Sequence, residues 1–173
     1  KDLAWVKQEA PAGVTVDVGT FTLQVAGNLD VQAGAQVLGS PGLVTMAGAN
    51  KTLVGFLNTS LAVTGNTSLA GNTVVGHDVT IDAALDLGTF QLVANGNFTA
   101  QNGGLLVMTQ GGATLNVTGN VLIDGAPTSG FLTAGTLLVG GNFLQFANNA
   151  SGSFAPSGTH TTVLLGATPT VAF

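Results

Sequence analysis

His77, Asp78, Asp82 and Asp86 form the one cluster of titratable side chains in the sequence. Paired carboxylates on one strand face are the apparatus of glycoside hydrolysis, and Asp78 and Asp82 share strand parity, so they would project to the same side. Four residues of strand separate them by about 13 Å at roughly 3.3 Å per residue, beyond the roughly 6.5–9.5 Å of an inverting pair. The chain has no arginine, and no lysine stands near the cluster to hold an acidic sugar. This spacing fits solvated carboxylates better, with Asp86 and Asp17 bonding backbone at turns. No catalytic residue is assigned, and a polysaccharide-active enzyme ranks third among the functions considered.

Other site chemistry is equally sparse. His77 and His160 stand far apart in the chain and cysteine is absent, so no zinc ligand set and no disulfide framework can be drawn. The glycine pairs at 103–104 and 111–112 lack the aspartates of a calcium-binding nonapeptide repeat. No metal and no cofactor is therefore expected. Threonines recur in VTV, TFT and THTT, but not at one phase in each repeat, so an ice-like lattice is not evident. Asn-x-Ser/Thr triplets stand at Asn50, Asn58, Asn66, Asn97, Asn116 and Asn149. Of these, Asn58 and Asn149 fall on expected loops and are the glycosylation candidates.

Composition excludes further classes. Charged residues make up 6% of the chain, against about 25% in an average soluble domain. Lysine occurs only at Lys1, Lys7 and Lys51, and the net charge is −5, so no basic stripe exists to displace counterions from a nucleic acid. Gly, Asn, Thr or Asp interrupts every apolar stretch before the roughly 20 residues of a membrane-spanning helix. The chain opens on Lys1 without Met, and a nearly uncharged β-protein fits export, so secretion after signal-peptide removal to a cell surface is expected.

The elements that carry these residues are short alternating runs separated by a Gly-Asn corner. The pair stands at Gly27-Asn28, Gly71-Asn72, Gly96-Asn97, Gly119-Asn120 and Gly141-Asn142, with a bare glycine at Gly48. The corners recur at about 21–25 residues, the size of one coil of a β-solenoid, a unit that must stack on its own copies to bury its apolar face. Gly166 continues the phase, and Gly65-Asn66 reads as a secondary corner of one coil. The expected fold is all-β, a single-domain parallel β-helix of six to seven coils. Glycine would supply a positive φ at each corner, and Asn28, Asn72, Asn97, Asn120 and Asn142 would stack into one ladder, amide on amide.

A second periodicity agrees with the first. Residues 17–34 align without gaps on 86–103, with nine of eighteen positions identical, at an offset of 69 that equals three coils of 23. Residues 40–60 fit the repeat worst, and the SPG at 40–42 predicts a longer bulging turn. Residues 1–13 differ in character and form an N-terminal arm or cap. Leu3, Val6 and Ala10 would share a helical face, or the segment runs extended and is anchored by Trp5. The solenoid domain spans 14–173, with a terminal strand region at 161–173. Phe21, Phe90, Phe98 and Phe143 read as core.

The units LQVAGN, LNVTGN and LLVGGN, with FAPSGTHTTVLLG near the end, resemble the parallel β-helix repeats of secreted bacterial surface proteins of the filamentous haemagglutinin type. The likeness runs from about Val14 to the C-terminus and implies a cell-surface adhesin, stalk or filament. An uncharged tail ending on an apolar strand favours a self-assembling subunit joined head to tail by β-strand addition. Its interface residues would be Leu3, Trp5 and Val6 at one end and Val163, Leu165, Val171 and Phe173 at the other. The alternative is a glycan-binding adhesin module.

Overall fold

The computed structural model describes residues 3–5 and 8–10 as backbone and residues 13–173 in full. Among these residues there is no helix, and every strand pairing is parallel. The chain winds as a single-domain β-solenoid of about seven turns. Each coil crosses three faces in order. Strands Leu3–Trp5 and Thr22–Val25 open the first face, which continues through Phe98–Gln101 and Val121–Asp124 to Val171–Ala172. Gln8–Ala10 and Leu29–Val31 open the second, which continues to Ala84–Asp86 and Leu105–Val107. The third runs from Thr15–Asp17 through Gln91–Ala94, Thr114–Val117 and Thr136–Val139 to Thr161–Leu164.

Alternation explains the faces. In Thr114–Val117 and Thr136–Val139 the second and fourth residues are buried and the others half-exposed, the period of two that a half-buried strand imposes. Leu92, Leu115 and Leu137 stack directly over one another inside the prism, as do Phe98, Val121 and Phe143 on the first face. The core is thus a column of apolar rungs, each contributed by one coil and covered by the next. Phe98 and Phe143 are buried and Phe90 packs against the core, whereas Phe21 sits on an edge and is 65% exposed.

Coil length varies more widely than the sequence spacing implies, as the hydrogen bonds between stacked coils show. They span 24 residues from Asn28 to Thr52, 17 from Gly42 to Thr59, 18 from Asn66 to Ala84 and 19 from Asp78 to Asn97. Beyond that the span returns to 23 residues from Asn97 to Asn120 and 22 from Asn120 to Asn142, then lengthens to 28 from Asn142 to Thr170. The bulge expected at 40–42 is present: the pairing of Gln36–Met46 with Lys51–Val63 shifts register between Leu38 and Leu43, and Ser40 and Pro41 stand exposed there, within the tightest part of the solenoid. There the strands Gln36–Met46, Lys51–Val63 and Thr67–Val75 run round the edges as continuous strands whose register shifts at the edge, as again between Leu53 and Gly55. At the N-terminus, Leu3–Trp5 and Gln8–Ala10 are strands in register with the next coil, not the turns of a helix. Lys1, Val6 and the side chains of Leu3 and Trp5 lie outside the described residues, so the N-terminal half of the expected interface does too.

Candidate functional site

The three aspartates with catalytic potential are separated by the winding, and His77 stays beside Asp78. Asp78 stands on the edge between the third and first faces, Asp82 between the first and second, and Asp86 on the second face itself. Each carboxylate has a local task. Asp78 Oδ1 accepts the backbone N–H of Asn97 at 2.7 Å and its side-chain N–H at 3.1 Å. Asp82 accepts Asn102 Nδ2–H at 2.8 Å. Asp86 Oδ1 accepts the N–H of Gly88 at 2.9 Å, and its copy Asp17 accepts that of Gly19 at 2.8 Å, the turn bonds expected of both. His77 is exposed, and among the described residues no group of three His, Asp or Glu is placed to hold a metal.

The organised polar feature is a ladder along the edge between the third and first faces. Asn97 Oδ1 accepts the N–H of Asn120 at 2.9 Å, Asn120 Oδ1 that of Asn142 at 2.8 Å, and Asn142 Oδ1 that of Thr170 at 2.9 Å. Asp78 is the first rung. The carbonyl oxygen of each side chain caps a backbone N–H of the next coil, and amide-to-amide bonds are secondary, as at 3.3 Å between Asn120 and Asn97. Asp78 takes the asparagine's place 19 residues before Asn97, an offset the sequence contains but the residue type disguises.

Two expectations about this corner are corrected. The five asparagines do not share one edge. Gly27-Asn28 lies between the first and second faces, stacked with Gly48 and Gly65-Asn66, and Asn28 and Asn66 cap the N–H groups of Thr52 and Ala84. Gly71-Asn72 lies between the second and third faces, where Asn72 caps Gln91. Coils of 17 and 18 residues cause this, because the step from Gly48 to Gly71 overshoots one turn and lands on the next edge. Gly65-Asn66 is therefore the in-phase corner, and Gly71-Asn72 the displaced one.

The role of the glycine also differs from the expected one. None of Gly27, Gly71, Gly96, Gly119 and Gly141 has a positive φ. A Cβ at Gly96 would collide with Asp78 Oδ1, and one at Gly119 or Gly141 would lie 2.6 Å from Oδ1 of Asn97 or Asn120. Glycine is there so that the ladder of the coil below can approach.

Three further relationships had no readable signal. Asn148 and Asn149 clamp Asp124 through their backbone and side-chain N–H groups. These bonds, that of the Asn148 side chain foremost, hold the Asp124 carboxyl below its ordinary value against an opposing contribution from desolvation. His160 Nδ1 lies 3.0 Å from the Ala134 carbonyl of the preceding coil, with its ring edge-on to Phe154. On the third face, outward residues form two columns: Gln91, Thr114, Thr136 and Thr161, and beside them Phe56, Val74, Val93, Asn116, Leu138 and Val163. From residue 36 onward the stretches of strand on this face carry no charged residue. Three threonines align, but their partners two residues on are Asn, Leu and Val, so no Thr-x-Thr lattice exists.

At the C-terminal end, Val163 is half-buried while Leu165, Val171 and Phe173 are 58, 44 and 84% exposed. The Phe173 ring lies 6.1 Å from that of Phe143, which also packs on Phe154 at 4.7 Å. Asn58, expected on a loop, lies exposed in the strand Lys51–Val63, and Asn149 lies in the loop after Phe143–Gln145 with its Nδ2–H given to the Asp124 carbonyl. No helix among the described residues is long and apolar enough to cross a membrane. Comparison with protein-family models, curated proteins and solved structures finds no match to this chain.

Proposed function

We propose that the chain is a structural, self-assembling extracellular protein, the subunit of a filament or surface fibre whose solenoids join end to end by β-strand addition. The observation that carries this is the last coil. Among the described residues Thr161–Leu164 and Val171–Ala172 have parallel partners on one side only, and Leu165, Val171 and Phe173 are exposed apolar residues of this coil. An unpaired strand edge is a template for another strand, and residues 161–173 carry no charged side chain to guard it. The order of faces is compatible with continuation in trans. The first-face strand Leu3–Trp5 of the next copy would follow Val171–Ala172, and the third-face Thr15–Asp17 would follow Thr161–Leu164. Low charge removes the repulsion that ordinarily keeps protomers apart, and the absence of cysteine leaves the assembly independent of redox state. Negative-stain microscopy of the purified chain is the test: filaments one solenoid wide are expected, and monodisperse particles of 17.1 kDa would overturn the proposal.

The third face, uncharged beyond Asp17, favours a second function, that of the adhesin to which the repeats bear a resemblance. Phe56, Val74, Val93, Leu138 and Val163 line a largely apolar column, interrupted by Asn116, beside polar, uncharged Gln and Thr, a surface suited to a neutral glycan and not to an ionic one. A glycan array probed with the monomer would show binding abolished by Phe56→Ser and Val93→Ser; an unchanged or absent signal counts against it.

A further inference from the structure

Two pairs in the chain run in the reverse order of the corner motif, Asn95-Gly96 and Asn102-Gly103. Asn-Gly is the dipeptide most prone to lose its side-chain amide, because a glycine nitrogen meets the least hindrance in closing on the asparagine Cγ. The fold treats the two pairs differently. Gly96 donates its N–H to His77 O at 3.1 Å, and a Cβ there would stand 2.8 Å from the His77 carbonyl carbon. Its nitrogen is committed and its backbone wedged in the stacked corner. Gly103 is exposed in the turn between Phe98–Gln101 and Leu105–Val107, and its N–H has no acceptor among the described residues. A Cβ on it would meet only Asp82 O, at 3.3 Å. Asn102 is exposed too, with a φ of 53°, and its Nδ2–H donates to Asp82 Oδ1 at 2.8 Å.

We propose that Asn102 is a self-modification site of the folded chain, while Asn95, with the same following residue, is protected. The Gly103 nitrogen loses its proton and attacks Cγ of Asn102. The bond from Cγ to the side-chain nitrogen breaks, ammonia leaves, and a five-membered imide closes. Water then adds to one of the two imide carbonyls and opens the ring to aspartate or isoaspartate. Either product loses the Nδ2–H donor to Asp82 and gains a carboxylate at this edge: in aspartate it stands on Cγ opposite Asp82, turning a hydrogen bond between coils into a contact of like charges, and in isoaspartate it is the former main-chain carbonyl. Isoaspartate also lengthens the backbone by one atom at the edge. The tie between these two coils is therefore lost with age, at one defined edge of the solenoid.

The test is peptide mapping by mass spectrometry of the intact chain held at mildly alkaline pH, folded and in denaturant. The folded chain is expected to convert Asn102 to a mixture of aspartate and isoaspartate while Asn95 stays an amide, and the denatured chain to convert both at comparable rates. Gly103→Ala, whose methyl would meet only the Asp82 carbonyl oxygen and needs a shift of a few tenths of an ångström in this exposed turn, is expected to slow conversion at Asn102 by about tenfold, the rate equivalent of roughly 1.4 kcal/mol of barrier. Equal conversion of Asn95 and Asn102 in the folded chain overturns the proposal. So does an Asn102 that stays intact when folded while the denatured chain reacts, or a Gly103→Ala variant that converts at the original rate.

Discussion

Asn97 Oδ1 accepts the backbone N–H of Asn120 at 2.9 Å, one coil away. The bond does what strand pairing cannot do at an edge, where the chain bends and the regular ladder of N–H and C=O groups is interrupted. A backbone N–H without a partner costs free energy, and each asparagine of the edge supplies one acceptor to the coil above. The solenoid thereby keeps its backbone satisfied around corners with almost no charge.

Gly119 shows how closely that arrangement is packed. Gly119→Ala would bring a methyl to 2.6 Å from Asn97 Oδ1 and 2.7 Å from the Gly96 carbonyl oxygen, so either the rung or the corner must shift. A loss of about 1–3 kcal/mol is expected. Gly111→Ala is the matched control, since its Cβ meets nothing within 4 Å and its φ is not positive. It is expected to be neutral or to gain up to about 1 kcal/mol through the unfolded chain. Chemical denaturation of the two variants checks the contrast, and equal effects would remove the explanation given for the corner glycine.

Asn97→Asp tests the rung's donor. The oxygen that caps Asn120 is retained, but the side-chain N–H given to Asp78 becomes a second carboxylate. At neutral pH the variant is expected to be less stable by about 1–3 kcal/mol, from the lost bond and the like charges. One proton between the two carboxylates restores a donor, so the deficit is present at neutral pH and shrinks as the pH falls through the carboxylate range. A deficit independent of pH would show that charge is not its cause.

The fold class was legible because its signal is local: LxVx alternation puts Leu115 with Val117, and Leu137 with Val139, in the core, and Gly-Asn marks a bend. Which edge a bend occupies was not legible, because azimuth is the running sum of all earlier coil lengths. The copied segments show this. Asp17 and Asp86 make the same turn, with Gly19 and Gly88 both at φ 56° and Phe21 and Phe90 each donating N–H three residues back. Yet the first turn joins the third face to the first and the second joins the second face to the third. The two copies are thus not a whole number of coils apart, since the short coils that contain Thr59, Asn66 and Asp78 lie between them. Asp78 was visible as an acid but not as a ladder rung for the same reason: its partner Asn97 is defined only once the winding is known.

Asp124 gives a prediction in pH. Hydrogen bonds from Asn148 and Asn149 hold its carboxyl below the ordinary value, so the carboxylate contributes stability that is complete above the ordinary carboxylate range and is lost as the pH falls through its own lowered value. The effect is local to the loop after Phe143–Gln145. Hydrogen exchange at the Asn148 and Asn149 amides is expected to show protection that collapses in that acid window in the native chain. Asp124→Ala should lack protection at every pH, and a native profile without an acid step would refute the assignment.

Val171 separates assembly from folding. It stacks on Phe143 and so points toward the solenoid axis, yet it is 44% exposed because no strand covers it among the described residues. A lysine there can reach solvent over the open end, so Val171→Lys should leave the monomer's circular dichroism and unfolding midpoint nearly unchanged. Once another coil stacks on this edge, the same ammonium is enclosed among apolar rungs with no carboxylate to pair it, at a cost of several kcal/mol. End-to-end assembly is therefore expected to fail in Val171→Lys and to persist in Val171→Ile, which extends the apolar surface. Sedimentation velocity beside electron microscopy reads both outcomes. Filaments that form equally well in the Val171→Lys variant would mean that this edge is not the junction.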